Sequence, residues 1–446
     1  MRRTTASLRH VSKRVQCVAL ATLALVACNR APEHPRPNVV IYVIDTLRRD
    51  HLGAYGSALV DSPNIDRIAA EGLTFDRAYA PASWTRSSMA TLLSGVPPTH
   101  HRTEDRDSVL PEAILTLGEA LRAAGYATAF VTANPNAGKV FGFDQGFDEL
   151  AELYAQQPGG IIDPYGAMAR SDTVTDRAIE WIDRTQSPFL LVVLAIDPHA
   201  PHNPPEHLIE AELRKTPIES ADDERQKFVA TSRVHYRAEI AFNDISFGRL
   251  VDHLIQRGLL DDTVLVLTAD HGEEFWEHGK YQHGQSLYDE VLRIPMIVRY
   301  PRSERVPAGV RSDTPARLSD VMPTVLDLAG VAIPGSVRGR SLVDPEAPPP
   351  PAIFSRLALD GHDLVSIRDH PWKLIRDERT GQIQLFNLVD DPDERSSLDD
   401  PVQQRRLEAL LEMQLEDQIE FESGTARESE LPEDVRESLR ALGYLE

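Results

Sequence analysis

The chain has 446 residues, 41% of them hydrophobic, and a formal net charge of −22. This length allows one large domain with an appendage, or two domains, and provides enough apolar residues for a core. The negative charge argues against nucleic acid or an acidic membrane surface as a partner.

The N-terminal residues 1–28 have the pattern of a bacterial lipoprotein signal segment. Five basic side chains precede an apolar run at 18–27, which is too short to span a bilayer. The run ends in Leu25-Val26-Ala27-Cys28, which resembles a lipobox. We therefore expect cleavage before Cys28, lipid on its thiol, and an exported lipoprotein on the periplasmic or cell-surface side of a membrane. An ordinary signal peptide with an incidental cysteine is the alternative.

Processing at this site would leave a mature chain with three further expected properties. Loss of residues 1–27 removes five positive charges, which makes the net charge more negative. With Cys17 removed and Cys28 lipidated, the fold has no disulfide and no thiolate metal site. Residues 29–37 contain three prolines and are predicted to form a short stiff tether, so the lipid would be the only membrane contact.

The remainder divides into two predicted parts. Helical patterns at 64–71, 114–124, 173–185, 235–256 and 318–329 alternate with strand-like runs, which predicts an α/β domain at 38–345 with a mostly parallel sheet sandwiched by helices. Within it, the polar stretch 204–232 is expected to be a solvated insertion rather than a lid. A proline cluster then marks a boundary, and residues 346–446 are predicted to form a small antiparallel sheet-and-helix subdomain.

Three strand-like runs each end in an aspartate. The apolar runs 39–44, 189–196 and 264–269 continue into Asp45, Asp197 and Asp270. Such runs are typical of strands covered on both faces, and ligands of open α/β sheets bind at the carboxyl ends of the strands. Because clustered carboxylates repel one another unless a cation neutralises them, and because His199 and His271 follow nearby, the pattern predicts a divalent-metal site.

These residues lie within motifs that resemble the sulfatase family of the alkaline phosphatase superfamily. The motifs are Asp45-Thr46-Leu47-Arg48-Arg49-Asp50-His51-Leu52-Gly53, Ser62-Pro63-Asn64-Ile65-Asp66-Arg67, Asp270-His271-Gly272-Glu273 with His283-Gly284, and Trp372-Lys373-Leu374-Ile375. Each is weak alone, but their order and spacing together are specific over about residues 37–395. The resemblance implies an alkaline-phosphatase-like fold and a metal-dependent ester hydrolase.

The nucleophile position departs from the family pattern. The family's formylglycine precursor, a cysteine or serine, stands ten residues before the glycine that here ends Leu92-Leu93-Ser94-Gly95, which places Thr85 in that position. Ser87 and Met89 replace the proline and arginine of the modification motif, and Ser83 is a rival that breaks the spacing. Threonine in this position resembles nucleotide pyrophosphatase/phosphodiesterases and phosphoethanolamine transferases, in which a metal-activated threonine attacks phosphorus.

The resemblance assigns the metal ligands as Asp45, Thr46, Asp270 and His271. Thr46 stands where many sulfatases have a second aspartate, so its role as a ligand is open. His271 occupies a position that is asparagine in many sulfatases, and an imidazole there shifts the expected cation toward zinc or manganese, with calcium or magnesium as the alternatives.

The resemblance also implies residues that act on the substrate. His199 resembles the family histidine near the leaving group or the sulfuryl oxygens, and His283 is expected to donate a proton or to bind a second metal. Lys280 and Lys139 are candidates for binding the substrate anion, although the sequence around Lys139 departs from the family pattern.

We therefore predict a hydrolase of small or glycan esters of sulfate or phosphate, with Thr85 as the nucleophile. Since both esters are tetrahedral oxyanions, the fold alone does not choose between them. The alternatives are a phosphoryl or phosphoethanolamine-type transferase, which would resolve the intermediate with an acceptor alcohol, and a non-catalytic protein that binds anionic glycans. Nucleic acid is not expected as a partner, and the sequence leaves the oligomeric state open.

Overall fold

The computed structural model describes residues 36–154, 169–218, 223–417 and 431–445. Its centre is an eight-stranded sheet in which one strand, β11, runs antiparallel to both of its neighbours and all the other pairings are parallel. This confirms the predicted mostly parallel sheet. From edge to edge the strands are β12 (Val310–Ser312), β2 (Leu73–Phe75), β11 (Met296–Arg299), β7 (Thr263–Ala269), β1 (Asn38–Ile44), β6 (Phe189–Ala195), β4 (Ala127–Thr132) and β5 (Glu149–Glu152).

The three central strands β1, β6 and β7 are buried at every position. This complete burial explains their continuous apolar sequences, because both faces of the sheet are covered. The helices of the main fold are α1 (Pro63–Glu71), α2 (Thr85–Ser94), α3 (Pro98–His101), α4 (Leu117–Ala123), α5 (Ser171–Arg184), α6 (Glu206–Lys215), α7 (Glu224–Gln256), α8 (Asp289–Leu292) and α9 (Val321–Leu328). Helix α7 begins before the predicted residue 235, so much of the polar stretch 204–232 is helical in α6 and α7.

The register of the central strands decides which residues meet at the carboxyl edge of the sheet. Ile44 lies opposite both Ala269 and Ala195, and Thr132 lies opposite Leu194. Counting forward from these pairs, Asp45, Asp270 and Asn134 arrive at the same level. Asp197 arrives one residue later than this level, and a shift of one residue turns a side chain to the opposite face.

Shorter strands complete the main part of the fold. A three-stranded sheet has the order β10 (Arg293–Ile294), β3 (Ala78–Tyr79) and β13 (Ala316–Arg317), and a hairpin joins β8 (Glu274–Phe275) to β9 (Tyr281–Gln282). The hairpin follows Asp270 and precedes His283, so it carries the chain away from the edge of the sheet and back to it.

The C-terminal sheet is antiparallel, as predicted. It contains β14 (Ile353–Leu359), β15 (His362–Asp369), β16 (Trp372–Asp377) and β17 (Ile383–Asn387) in that order. Helix α10 (Pro401–Glu416) covers this sheet, because its Leu407 and Leu411 join the small core formed by Val365, Ile367 and Leu374.

The end of the chain differs from the prediction that 346–446 is one subdomain. Helix α11 (Glu433–Ala441) and its flanking residues contribute Leu431, Val435, Leu439 and Leu442 to the core of the main fold. The sequence shows that α11 is amphipathic but cannot show which surface its apolar face covers.

The predicted signal segment, Cys28 and nearly all of the tether lie outside the described residues. Within the described part of the chain, no helix is both long enough and apolar enough to cross a bilayer.

Candidate active site

Two aspartates and one histidine form a buried cluster at the carboxyl ends of β1 and β7. His271 Nε2 lies 3.4 Å from Asp270 Oδ2 and 3.8 Å from Asp45 Oδ1, and all three side chains are fully buried. The structure thereby brings together three of the predicted metal ligands. Burial, and then the charge of Asp270, raise the pKa of Asp45 well above its usual value. Two neighbouring carboxylates without water need a proton or a cation to coexist.

The atoms of this cluster fit a divalent cation. Asp45 Oδ1 and Asp270 Oδ2 are buried and have no hydrogen-bond partner, although buried carboxylate oxygens normally have one. His271 Nδ1 lies 2.9 Å from the Gly272 carbonyl oxygen, to which it can donate only when protonated, so Nε2 presents its lone pair to the cluster. Burial lowers the pKa of His271, which favours the neutral ligand form. One imidazole and two carboxylates together suit zinc or manganese.

Thr46 adopts a strained backbone conformation beside this cluster. Its φ is 56°, in the left-handed region that β-branched residues rarely occupy. The Thr46 amide donates to Asp270 Oδ1 at 3.2 Å, and its carbonyl accepts from the Tyr236 hydroxyl at 2.7 Å. Its own Oγ1 is buried and has no hydrogen-bond partner. Thr46 Oγ1 is thus a third unpaired buried oxygen, whereas the Thr46 backbone amide orients Asp270.

Thr85 lies against this cluster at the first residue of α2. Its Oγ1 is 3.4 Å from His271 Nε2 and 3.2 Å from the Asn134 amide nitrogen, and the residue is fully buried. The N-terminal end of a helix carries partial positive charge, which favours negative charge developing on this oxygen. Thr85 is therefore placed as an activated nucleophile requires.

Asn134 connects the candidate nucleophile to the carboxylates. Its Nδ2 donates to Asp45 Oδ2 at 2.6 Å as well as to Thr85 Oγ1, and its Oδ1 accepts from the Asn136 amide at 2.9 Å. These three contacts fix the orientation of the amide group, because each requires the donor or acceptor assigned to it. Sequence reasoning missed Asn134, although it follows a strand next to β6 just as Asp45 follows β1.

The two predicted substrate histidines lie side by side near Thr85. The ring centres of His199 and His283 are 4.8 Å apart, and those of His271 and His283 are 4.5 Å apart. Glu273 orients His283 through a 3.0 Å contact to Nδ1, and the Ala200 carbonyl accepts from His199 Nδ1. Burial, and then the proximity of His283, lower the pKa of His199 well below its usual value.

Tyr444 also enters the site, and sequence reasoning missed it. Its hydroxyl oxygen lies 2.8 Å from His283 Nε2 and 3.2 Å from His199 Nε2. No signal in the sequence marked this residue, since it follows a short amphipathic helix far from every catalytic motif.

The two predicted substrate lysines do not join the cluster. Lys139 is exposed, and its ammonium lies 3.6 Å from Asp144. Lys280 is exposed at the tip of the β8–β9 hairpin, where its backbone amide donates to Glu274 Oε1 at 2.8 Å. Both lysines therefore lie outside the cluster, and their binding of the substrate anion stays a prediction.

Asp197, the third strand-end aspartate, also lies apart from the metal-type cluster. Its Oδ2 accepts from the Ser171 amide at 2.7 Å and from the Ser171 hydroxyl, which anchors the start of α5. Burial, and then the charge of Glu239, raise the pKa of Asp197 to about 7. The three strand-end aspartates therefore do not share one site, and the one-residue register offset of Asp197 is the reason.

Solved structures of other proteins share this fold. A solved structure of a protein bound to its substrate D-glucosamine-2-N,6-O-disulfate has a TM-score of 0.73, 23% identity, and covers 86% of this chain and 98% of its own. The phosphonate monoester hydrolase of Agrobacterium radiobacter has a TM-score of 0.69, 22% identity, and covers 85% of this chain and 95% of its own. At these identities the similarity shows the fold.

The family is shown by the sequence. The family model described as Sulfatase matches residues 37–331, so the chain belongs to the sulfatase family and is a hydrolase of that family. A relative, the N-acetylglucosamine-6-O-sulfatase of Bacteroides thetaiotaomicron, is 27% identical over 418 residues, covering 72% of this chain and 73% of that protein.

Proposed function

We propose that this protein is a metal-dependent hydrolase that cleaves a small or glycan ester of phosphate or sulfate through Thr85. The observation that carries the proposal is the position of Thr85 Oγ1, which lies 3.4 Å from His271 Nε2 at the edge of the Asp45, Asp270 and His271 cluster. A divalent cation held by that cluster would supply Lewis-acid stabilisation and lower the pKa of a hydroxyl beside it.

The side chains around the cluster have distinct roles in the proposed reaction. Asn134 holds Thr85 Oγ1 and Asp45 in fixed relation, so the nucleophile needs little reorganisation before attack. Thr85 Oγ1 gives up its proton to a neighbouring imidazole and attacks phosphorus or sulfur, and the bond to the leaving oxygen breaks as that oxygen takes up a proton. Water then hydrolyses the threonine ester, which releases phosphate or sulfate and returns a proton to Oγ1. His283, oriented by Glu273, and His199 lie close enough to exchange protons with the leaving oxygen and the water.

The threonine favours phosphoester chemistry over formylglycine-based sulfate chemistry. Oxidation to formylglycine starts from a CH₂–SH or CH₂–OH side chain, whereas the Cβ of Thr85 carries a methyl group. Thr85 is therefore expected to stay unmodified. One structural neighbour is a phosphonate monoester hydrolase, and other relatives are linked to sulfated sugars. The substrates to compare are therefore matched phosphate, phosphonate and sulfate esters.

Three substitutions at two positions, 83 and 85, test the proposal. Thr85→Ala should lower kcat by about 10³-fold or more while metal binding persists, and Thr85→Ser should retain part of the activity. Ser83→Ala is the matched control, because Ser83 Oγ is also buried but has no hydrogen-bond partner. It should retain wild-type turnover.

Kinetics on matched esters and peptide mass mapping supply the measurements. A phosphoester should be cleaved at least as readily as the sulfate ester with the same leaving group, and residue 85 should have the mass of threonine. A formyl group at position 85, or activity that survives Thr85→Ala and disappears in Ser83→Ala, contradicts the proposal.

A further inference from the structure

The C-terminal segment 431–445 places the phenol of Tyr444 in the active site. Helix α11 docks on the main core, and Ser438 Oγ donates to the Tyr154 carbonyl at 3.2 Å. The chain then turns at Gly443, whose φ is 79°, a conformation that favours glycine. After this turn Tyr444 points inward and is 7% exposed. Its position is therefore fixed by packing on both sides.

The phenolic oxygen occupies a place suited to an oxygen of the substrate. It lies within hydrogen-bond distance of the Nε2 atoms of both His199 and His283. His199 donates its Nδ1 proton to the Ala200 carbonyl, so its Nε2 accepts the single phenolic proton, and the phenolic oxygen faces Nε2 of His283. A substrate oxygen that lies beside these two imidazoles therefore comes within hydrogen-bond distance of Tyr444.

Lys139, Lys280 and Arg86 do not place a charged hydrogen-bond donor beside Thr85. Lys139 and Lys280 are both exposed and lie outside the cluster. Arg86, the neighbour of Thr85 in sequence, directs its guanidinium to the carbonyl of Ser108 at 3.3 Å and to Asn136 Oδ1 at 2.9 Å. A neutral donor at this position would therefore add to the stabilisation that a cation in the cluster gives a transferred anionic group.

Tyr444 is suited to remain a hydrogen-bond donor because its hydroxyl is buried against two imidazoles. Burial raises the pKa of Tyr444 well above its usual value. The hydroxyl therefore keeps its proton. A buried neutral phenol also has little freedom to reorient, which is the condition for effective stabilisation of a transition state.

Resting on the proposed ester hydrolysis, we propose that Tyr444 is a catalytic residue whose hydroxyl donates a hydrogen bond to an oxygen of the phosphoryl or sulfuryl group during its transfer to Thr85. No covalent bond to Tyr444 forms, and its proton stays on the phenol. The C-terminal segment is thus part of the active site.

The substitution Tyr444→Phe tests this role, because it removes the hydroxyl and keeps the ring that packs in the core. We expect kcat/KM to fall by about 10²-fold or more, mainly through kcat, with metal content unchanged. Tyr55→Phe is the matched control. Its hydroxyl is also buried, and it donates to the Met296 carbonyl at 3.2 Å and accepts from the Met296 amide at 2.8 Å rather than contacting a residue of the catalytic cluster. That variant should keep wild-type kinetics.

Binding of orthovanadate to the metal-loaded protein provides a readout that does not depend on turnover. Vanadate adopts the five-coordinate geometry of phosphoryl transfer, so Tyr444→Phe should weaken its affinity by a factor similar to the loss in kcat/KM. Unchanged vanadate affinity and unchanged kcat/KM in Tyr444→Phe would overturn the proposal. An increase in kcat/KM would also overturn it, since the tail would then obstruct the substrate.

Thr85→Ala, measured in parallel, separates this proposal from the proposed nucleophile. If Thr85→Ala is inactive while Tyr444→Phe is fully active, only the role of Tyr444 is wrong. If Thr85→Ala remains active, the nucleophile is wrong, and the vanadate affinity of Tyr444→Phe still decides whether the phenol contacts the transferred group.

Discussion

Removal of the divalent cation should destabilise this protein in a way that depends on Asp270. Asp45 Oδ1 and Asp270 Oδ2 are buried without partners, and a buried polar group that lacks a partner costs about 1–3 kcal/mol. Two such atoms therefore leave the metal-free fold about 2–6 kcal/mol less stable than the metal-bound one. The estimate is of the same size as the stabilisation by a ligand present at 100 times its Kd, about 2.7 kcal/mol.

The assay is chemical denaturation of wild-type and Asp270→Asn protein, each with the added cation and with a chelator, together with elemental analysis. Chelation should lower the unfolding free energy of the wild type by the amount above. Asp270→Asn should bind no stoichiometric metal, and chelation should leave its stability unchanged, because the isosteric amide removes a ligand without creating a cavity.

Asp197→Asn is the matched control, since it changes a neighbouring strand-end aspartate whose oxygen is already bonded to Ser171. It should respond to the chelator as the wild type does. Stoichiometric metal and a full chelator response in Asp270→Asn would refute the reasoning, as would a wild-type protein whose stability the chelator does not change.

Three further outcomes are expected. Asn134→Ala removes the donor to both Asp45 and Thr85, so kcat should fall by about 10–100-fold; steady-state kinetics equal to wild type would contradict this. The pKa of Asp197 is raised to about 7 in the fold, above its unfolded value of about 4, so its stabilising contribution is fully present below pH 4 and is lost as the pH rises through 7. Unfolding free energies of Asp197→Asn measured from pH 4 to 8 should accordingly lack a decline that the wild type shows, of at most about 1.4 kcal/mol per pH unit; parallel pH profiles would count against it. Cys28→Ser should abolish lipid labelling and leave the precursor unprocessed, and normal processing would exclude the predicted lipobox.

The sequence by itself determined the architecture and the first residues of the site. Apolar runs without polar alternation indicated strands covered on both faces, and their alternation with helical patterns indicated a mostly parallel sheet. The aspartates at 45 and 270 could be predicted as neighbours because parallel strands end at one edge. The spacing to Gly95 predicts Thr85 as the nucleophile. This works because Thr85 begins helix α2 and Gly95 follows its last residue, so the helix fixes their separation.

Only the tertiary structure decided which other residues take part. The strand register brings Asn134 level with Asp45 and carries Asp197 past it to Ser171, a difference of one residue that no hydrophobic pattern encodes. The exposure of Lys139 depends on loop conformation. Tyr444 reaches the site because α11 docks on the main core, and docking is a property of surfaces distant in sequence. Local sequence spacing therefore predicts the metal-type cluster and the nucleophile, whereas long-range packing decides which other groups surround them.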